Sequence, residues 1–253
     1  MAERPVTAAA LAAQLRRQPR DHPLPWRLRV LPVCGSTELE LERWLQQEPD
    51  HQSARLVVSR RQRHGHGQQG RTWESPAGGV WLSALLPWPQ QPEGSASLAL
   101  AASVGLVLQL EALGLTPQIK WPNDVLLDGR KLAGLLPRLR WRGPVVRSAQ
   151  VGLGLNGRNG GPSGSINLLE ALQGRDGGVL RPDRLIVRVL AGLEWAVAAA
   201  QQPELVRRQA EQRLWRPEWV EHDGERWNVD GLSVEGGLRL RRGPAVALLQ
   251  RRF

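Results

Sequence analysis

The sequence predicts an α+β fold, with one mixed β-sheet flanked by helices and a small β-barrel at the C-terminal end. Strand-like and helix-like segments are mixed along the chain instead of alternating strictly, which favours α+β over α/β. An Asp-Gly pair at 128–129 lies between two apolar runs and predicts a hairpin. After residues 215–217, short apolar alternations separated by Asp-Gly and Gly-Gly pairs predict four or five short strands. We therefore expect an N-terminal extension (1–34), a main domain (35–213) and a small C-terminal domain (214–253).

The first predicted helix follows an N-terminal extension that has no clear apolar periodicity. Residues 1–30 are rich in Ala, Arg and Pro, and we expect them to pack loosely. Ser36 and Thr37 then open an amphipathic run, in which Thr37 and Glu40 have capping-box spacing.

The remaining elements follow from apolar patterning. Apolar or β-branched runs predict strands at 55–60, 78–88 and 145–156. Long apolar or amphipathic runs predict helices at 95–115, 182–200 and 203–214. The segment 61–73 has three glycines and no apolar periodicity, so we expect a loop there.

Composition excludes several classes of protein. The single cysteine, Cys34, excludes an intrachain disulfide framework and a cysteine-based zinc site, and we expect it to be a small buried residue. The sequence has neither a signal-peptide pattern nor an apolar run of 18 residues, so we expect a cytoplasmic protein with no membrane partner. The net charge of +10 and a pI near 11.4 admit a polyanionic partner, but we favour an Arg-rich solvated surface as their explanation.

Two lysines stand out against a strong arginine bias. Of 34 basic residues only Lys120 and Lys131 are lysines, so 34 − 2 = 32 are arginines. A compact ammonium suits a phosphate or a developing oxyanion in a way that a planar guanidinium does not. The predicted hairpin would bring the two ammonium groups near each other, with Asn123 and Asp124 beside them. Asp124 could hold Mg²⁺, although a solvated hairpin with a surface ion pair is the alternative.

Two glycine-containing segments are candidate ligand loops. In GHGQQGR (65–71) the glycines allow backbone N–H groups to approach an anion, and Arg71 adds further donors. This segment lacks the Walker pattern, and similar loops also occur as plain turns. GLGLNGRN (152–159) would bring a glycine-lined strand close to a ligand, with Asn156 at its end, although glycine in a strand also marks bulges.

Four segments, in this order, resemble the biotin–protein ligase family. They are GST (35–37), RQRHGHGQQGRTWESPAGGVWLS (61–83), KWPNDVLLDGRKLAGLL (120–136) and VGLGLN (151–156). The third segment is highly specific for this family and is less similar to the corresponding sequences of its relatives, the lipoate ligases. The resemblance implies a class II synthetase-like catalytic domain at 35–213 and a small SH3-like barrel at 214–253.

The resemblance implies an ATP-dependent ligase that works in two steps. Biotin would attack the α-phosphate of ATP–Mg²⁺ to give biotinyl-adenylate and pyrophosphate. A lysine of a biotin carboxyl carrier protein, typically that of acetyl-CoA carboxylase, would then attack the adenylate. Both steps build charge on oxygen atoms, so prearranged cations lower the barrier. A lipoate or octanoate ligase, and a weakened biotin- or nucleic-acid-binding module, are the alternatives.

The same resemblance assigns roles to individual residues. Lys131 would contact the biotin carboxylate and the adenylate phosphate, and Arg71 is the second catalytic candidate. The residues implied to bind biotin are Ser36, Thr37, Glu38, Gln62, His66, Gly67, Gln68, Lys131, Gly134, Leu136, Gly152 and Gly154. Those implied to bind ATP are Trp73, Lys120, Asn123, Asp124 and Asn156, with Asp124 also the magnesium ligand.

The sequence departs from the family pattern at two places. The family loop usually reads GRGRxGR, whereas here His66 and Gln68 replace arginines. This change should weaken the hold on the adenylate by about 1.5–3 kcal/mol for each charge-assisted bond lost, leaving an active but slow or leaky enzyme. Glu38 replaces the usual Asn, and a carboxylate there is poorly matched to biotin unless it turns away.

Repressor members of the family carry an N-terminal helix-turn-helix motif. The residues before Gly35 show no such pattern, so we expect no specific DNA partner. We also expect a monomer or a weak homodimer.

Overall fold

The computed structural model describes residues 6–91, 94–173 and 178–251. The helices are α1 Ala8–Arg17, α2 Thr37–Gln47, α3 Leu98–Glu111, α4 Leu168–Ala171, α5 Pro182–Ala198 and α6 Pro203–Gln212. The strands are β1 Arg27–Leu31, β2 Arg55–Ser59, β3 Gly65–His66, β4 Thr72–Trp73, β5 Val80–Leu86, β6 Gln118–Lys120, β7 Asp124–Leu127, β8 Arg130–Arg142, β9 Val145–Leu155, β10 Val220–His222, β11 Glu225–Leu232, β12 Leu238–Arg242 and β13 Ala245–Leu249. In the described part of the chain, no helix is both long and apolar enough to cross a membrane.

A seven-stranded mixed sheet forms the centre of the molecule. Its strand order is β1-β2-β5-β9-β8-β7-β6, with β1 parallel to β2 and the other pairs antiparallel. One face packs against α2, where Trp44 contacts Val57 and Leu85 in a small apolar cluster. The opposite face packs against α3 and α5 in the main core. Because β2 and β5 are covered on both faces, every residue of these two strands is buried and their sequences are mostly apolar. The predicted α+β class is confirmed.

The β7–β8 hairpin forms at the predicted turn. Asp128 and Gly129 have φ values of 50° and 73°. Two successive residues with positive φ match the type I′ turn, whose twist suits that of the flanking strands. This turn positions Lys131 near the start of β8, on the wall of a cavity described below.

The prediction that residues 1–30 pack loosely is wrong for the part that the structure describes. In α1, Leu11 and Leu15 are buried, and β1 is an edge strand of the main sheet. The carboxylate of Glu194 on α5 is 1% exposed and forms an ion pair with Arg20. The same carboxylate accepts hydrogen bonds from the Leu24 backbone N–H at 3.0 Å and from Trp26 Nε1 at 2.8 Å. These contacts are long-range, which explains why local composition did not reveal them.

We expect Glu194→Ala to destabilise the fold strongly. Removing one partner of a buried ion pair leaves the other uncompensated, so the free energy of unfolding should fall by about 3–5 kcal/mol. Chemical denaturation would measure this loss. The control is Glu204→Ala, because Glu204 pairs with Arg207 while 54% exposed, and the unfolding midpoint should barely change. Equal effects of the two variants would contradict the anchoring role of Glu194.

The C-terminal segment forms the predicted short strands. They pair in the order β10-β11-β12-β13, with Leu232, Leu238 and Leu240 buried. Among the described residues this sheet is open, since β10 pairs only with β11 and β13 only with β12, so the structure does not show the predicted closed barrel. The indole Nε1 of Trp121 donates to the Gly236 carbonyl at 2.9 Å, which connects this sheet to the main domain. The domain boundaries at 34/35 and 213/214 stay predictions.

Candidate functional site

A cavity of about 520 Å³ lies on the α2 face of the main sheet. Its walls come from the start of α2, the segment 62–74, the β7–β8 hairpin and the loop that follows β9. The sequence-predicted site residues that line it are Ser36, Thr37, Glu38, Gln62, His66, Gly67, Gln68, Arg71, Trp73, Asn123, Asp124, Lys131, Gly134, Leu136, Gly152, Gly154 and Asn156. The fold therefore brings together all of the predicted residues except Lys120.

Several lining residues were missed by the sequence analysis. They are Thr72, Glu74, Leu82, Ser83, Leu135, Leu153, Asn159, Gly161, Pro162, Ser163, Gly164 and Ser165. Ser83 had a detectable signal, because it is the one polar residue within the otherwise apolar strand β5. No local pattern indicated that the stretch 159–165 lines the cavity, where Ser165 forms an isolated β-bridge with Lys131.

Glycines form the floor of the cavity. Gly134 on β8 lies directly opposite Gly154 on β9, and the indole of Trp73 lies across both. A Cβ atom added to Gly154 would be 2.6 Å from the Trp73 ring, and one added to Gly134 would be 2.9 Å from it. The absence of side chains at these two positions therefore makes room for the indole. Trp73 Nε1 is a buried donor that has no hydrogen-bond partner in the described part of the chain.

A buried polar group forms one end of the cavity. Gln62 Oε1 accepts hydrogen bonds from the Thr37 backbone N–H at 2.8 Å and from Thr37 Oγ1 at 3.0 Å. Thr37 Oγ1 also lies 2.9 Å from Ser83 Oγ, and Gln62 Nε2 donates to Ser75 Oγ at 2.8 Å. The Thr37 hydroxyl is thus hydrogen-bonded to Gln62 and Ser83 within the cavity and does not cap the helix. The N-cap of α2 is Ser36, whose Oγ accepts a hydrogen bond from the Glu38 N–H. The predicted capping role of Thr37 is wrong by one residue.

Lys131 forms the cationic part of the cavity. Its Nζ lies 2.7 Å from Asp124 Oδ1 and 4.8 Å from the centroid of the Trp73 ring. Its Cε is 3.1 Å from the position that a Cβ of Gly134 would occupy, so the side chain folds back over the glycine floor. The ammonium is therefore held by a carboxylate and an aromatic face while the side chain stays 37% exposed.

Lys120 has a different environment from Lys131. It is exposed on β6, and its ammonium lies 5.3 Å from the ring centroid of Trp215, just after α6. It does not line the cavity, and the expected proximity of the two ammonium groups stays a prediction. The Trp215 ring is distant in sequence, so the hairpin alone did not predict this contact.

Three buried asparagines shape the side of the cavity near Lys131. Asn123 donates through Nδ2 to the Leu135 carbonyl, and Asn156 donates through Nδ2 to the Ile166 carbonyl at 3.1 Å. Asn159 Nδ2 donates to Asn156 Oδ1 at 3.0 Å. Asn156 and Asn159 hold the loop after β9 in place, whereas Asn123 connects the segment before β7 to β8.

The structure gives different environments to the residues that depart from the family pattern, Glu38 on one side and His66 and Gln68 on the other. Glu38 directs its carboxylate to Arg138, with Oε1 2.6 Å from a guanidinium nitrogen, so it does turn towards a cation. His66 and Gln68 do line the cavity, and Arg71 is exposed with no ion pair among the described residues. The lost loop cations are therefore not replaced by any arginine within the cavity other than Arg71.

The residues present fit a phosphate-bound Mg²⁺ better than a protein-caged metal ion. Among the described residues no group of three or more His, Cys, Asp or Glu side chains could hold a metal. Asp124 places one carboxylate beside Lys131, and Mg²⁺ is usually held by one or two carboxylates together with substrate phosphates. Cys34 is buried as expected, and burial raises the pKa of its thiol, so it is not an activated nucleophile.

Fold and cavity together define an α+β protein whose cavity has a hydrogen-bonding group at one end and the Lys131 ammonium at the other. The sequence model of the Biotin/lipoate A/B protein ligase family matches residues 30–156, half of the chain. The chain belongs to this family, and the family predicted from the four segments is confirmed.

Comparisons with individual proteins agree with this assignment. The chain is 39% identical over 103 residues to the bifunctional ligase/repressor BirA of Bacillus subtilis, covering 40% of this chain and 32% of that protein. It is 41% identical over 107 residues to the biotin–[acetyl-CoA-carboxylase] ligase of Paracoccus denitrificans, covering 40% of this chain and 43% of that protein. The matched region is thus less than half the length of either relative.

A solved structure supports the fold over a longer stretch. A biotin protein ligase from Aquifex aeolicus in complex with biotin and ATP superposes with a TM-score of 0.65 at 21% identity. The superposition covers 88% of this chain and 95% of that one, so the architecture extends well beyond the matched family region.

Proposed function

We propose that the protein activates biotin with ATP and transfers the biotinyl group to a lysine of a carrier protein. One observation carries the proposal: a single cavity has a hydrogen-bonding group at one end and Lys131 at the other, across a glycine floor. Ser83 and Gly152 lie opposite each other in the sheet, and Gly154 is two residues further along β9. Two residues of a strand span about 6.8 Å, which suits a short aliphatic tail between a ring and a carboxylate.

We assign roles in the first step from the contacts of each residue. Thr37, Gln62 and Ser83 supply donors and acceptors that suit the ureido N–H and C=O groups of biotin. Lys131 would then meet the biotin carboxylate and the α-phosphate, and stabilise the charge that develops when they join. With ATP bound, Mg²⁺ would supply further neutralisation of phosphate charge, and Asp124 is the residue that would hold it.

The second step uses the same end of the cavity. The acceptor lysine must reach the adenylate beside Lys131, where the ammonium of Lys131 again faces the developing charge. The relatives' names support a biotin carboxyl carrier of acetyl-CoA carboxylase as the acceptor. We place this activity in the cytoplasm, and we propose that the active form is a monomer or a weak homodimer. The expected lack of a specific DNA partner stays a prediction.

The polar head site distinguishes biotin from lipoate. A dithiolane ring has no strong donor or acceptor, and it would leave the Thr37–Gln62–Ser83 group without ligand hydrogen bonds. Biotin should therefore raise the melting temperature of the protein, and lipoate should not. Biotin-dependent exchange of labelled pyrophosphate into ATP tests adenylation directly. Stabilisation by lipoate alone, or no exchange with biotin, would contradict the proposal.

We expect restored loop cations to improve retention of the adenylate. In the double variant His66→Arg/Gln68→Arg, guanidinium groups would line the cavity next to Arg71. The fraction of biotinyl-adenylate released into solution should fall about tenfold or more, because one charge-assisted hydrogen bond contributes about 1.5–3 kcal/mol. Chromatography of labelled adenylate in the absence of carrier measures this release.

The matched control for that variant is Arg63→Gln. Arg63 is an exposed residue of the same segment that does not line the cavity. Its replacement should leave adenylate release unchanged. A double variant that releases adenylate as fast as the original protein would contradict the role given to the missing cations.

A further inference from the structure

A second cavity adjoins the ligand cavity at its Leu136 end. This outer cavity has a volume of about 540 Å³. The residues that line both cavities are Glu38, His66, Gly67, Gln68 and Leu136. Arg138 and Glu42 line only the outer one. Glu38, the segment 66–68 and Leu136 therefore form the boundary between the two cavities. Arg138 lies on the outer side of this boundary.

A chain of ion pairs crosses this boundary. Glu38 Oε1 lies 2.6 Å from the Arg138 guanidinium, and the same guanidinium lies 3.3 Å from Glu42 Oε1. Glu42 also pairs with Arg140. The Glu38 side chain is 17% exposed and that of Arg138 is 41% exposed, so the carboxylate is the more enclosed member of the pair.

The sheet register places this ion pair beyond the head site. Leu136 lies opposite Gly152, which in turn lies opposite Ser83. Arg138 is two residues further along β8, opposite Gln150. The Glu38–Arg138 pair thus lies at the end of the ligand cavity next to the residues that would bind the biotin ring.

We propose that Arg138 is a positioning residue that holds the Glu38 carboxylate in the end wall, so that the cavity presents a neutral surface to an uncharged ring. The proposal rests on biotin as the ligand. It explains how the chain tolerates a carboxylate at position 38: the charge is directed to a guanidinium and not to the ligand.

The ion-pair chain predicts an asymmetric response to substitution. Without Arg138, Glu42 still has Arg140, whereas Glu38 has no other ion-pair partner among the described residues. The uncompensated Glu38 carboxylate would then lie at the cavity boundary. Without Arg140, Glu42 and Glu38 both keep Arg138.

The test compares three variants by calorimetric titration with biotin. Arg138→Met should weaken biotin binding about tenfold or more, because one partner of a partly enclosed pair is left unpaired. Adding Glu38→Asn to Arg138→Met should restore most of the lost affinity, since the uncompensated charge is removed. Arg140→Met, the matched control on the same strand, should change the affinity less than about threefold, as expected of an exposed ion pair.

A second readout separates positioning from general damage to the fold. In pyrophosphate exchange, Arg138→Met should raise KM for biotin while leaving KM for ATP near its original value. Arg138→Met with unchanged biotin affinity would overturn the proposal, and so would a loss that Glu38→Asn does not rescue. Failure of the unmodified protein to bind biotin at all would instead contradict the proposed function, so the two failures are distinguishable.

Discussion

Lys131→Arg should lower the rate of biotin transfer by about 100-fold or more, the usual cost of removing a group that stabilises an oxyanion. Lys131 Nζ contacts Asp124, and its Cε lies over Gly134 beside the Trp73 ring. A guanidinium is wider and planar, and it cannot follow this path over the floor while directing one compact charge at the reacting oxygens. Single-turnover transfer of labelled biotin at saturating ATP measures the effect.

The chain provides a matched control for this substitution. Arg130 precedes Lys131 on β8, does not line the cavity, and pairs with Glu170 at 2.6 Å while both side chains are exposed by more than a third. Arg130→Lys makes the reverse exchange of cations outside the cavity, so its rate should stay within about threefold of the original. Similar rates for the two variants would contradict a special role for Lys131.

Asp124→Asn should reduce adenylation by about 10- to 100-fold, the range expected when a group that orients a reactive centre is lost. Asp124 is the residue whose carboxylate holds the Lys131 ammonium, 2.7 Å away. The amide keeps the shape but loses the charge, so the ammonium is less well oriented. Because Asp124 would also hold Mg²⁺, the Mg²⁺ concentration required for half-maximal pyrophosphate exchange should rise.

The control for Asp124→Asn lies in the same hairpin. Asp128 is exposed at the turn with a φ of 50°, a conformation that Asn adopts readily. Asp128→Asn should therefore leave both the exchange rate and the Mg²⁺ requirement unchanged. An Asp124→Asn variant that matches this control would show that the ion pair has no part in adenylation.

Local signals predicted much of the fold. The Asp128-Gly129 turn is specified by two adjacent residues, and the helix after Ser36 by a cap followed by an amphipathic run. Strand β1 escaped prediction because its sequence, RLRVL, carries two arginines, and its strand conformation depends on pairing with β2. The contacts that Arg20, Leu24 and Trp26 make with α5 depend likewise on Glu194, which lies far along the chain.

The sequence likewise predicted some features of the candidate site, whereas others depend on contacts between distant segments. The family resemblance predicted site residues in four segments, and residues from all four line one cavity. The contribution of the loop after β9 and the contact of Lys120 with Trp215 depend on packing between distant segments. The orientation of Glu38 could not be predicted either, because its partner Arg138 lies on a strand that only the folded sheet brings next to α2.

Transfer of labelled biotin to a carrier domain tests the central claim most directly. The protein is incubated with ATP, Mg²⁺, labelled biotin and an isolated biotin carboxyl carrier domain, and the label is located by mass spectrometry. The account predicts covalent attachment to one carrier lysine, dependent on ATP and lost in Lys131→Arg. Absence of transfer at equimolar protein and carrier, together with absence of biotin-dependent pyrophosphate exchange, would contradict it.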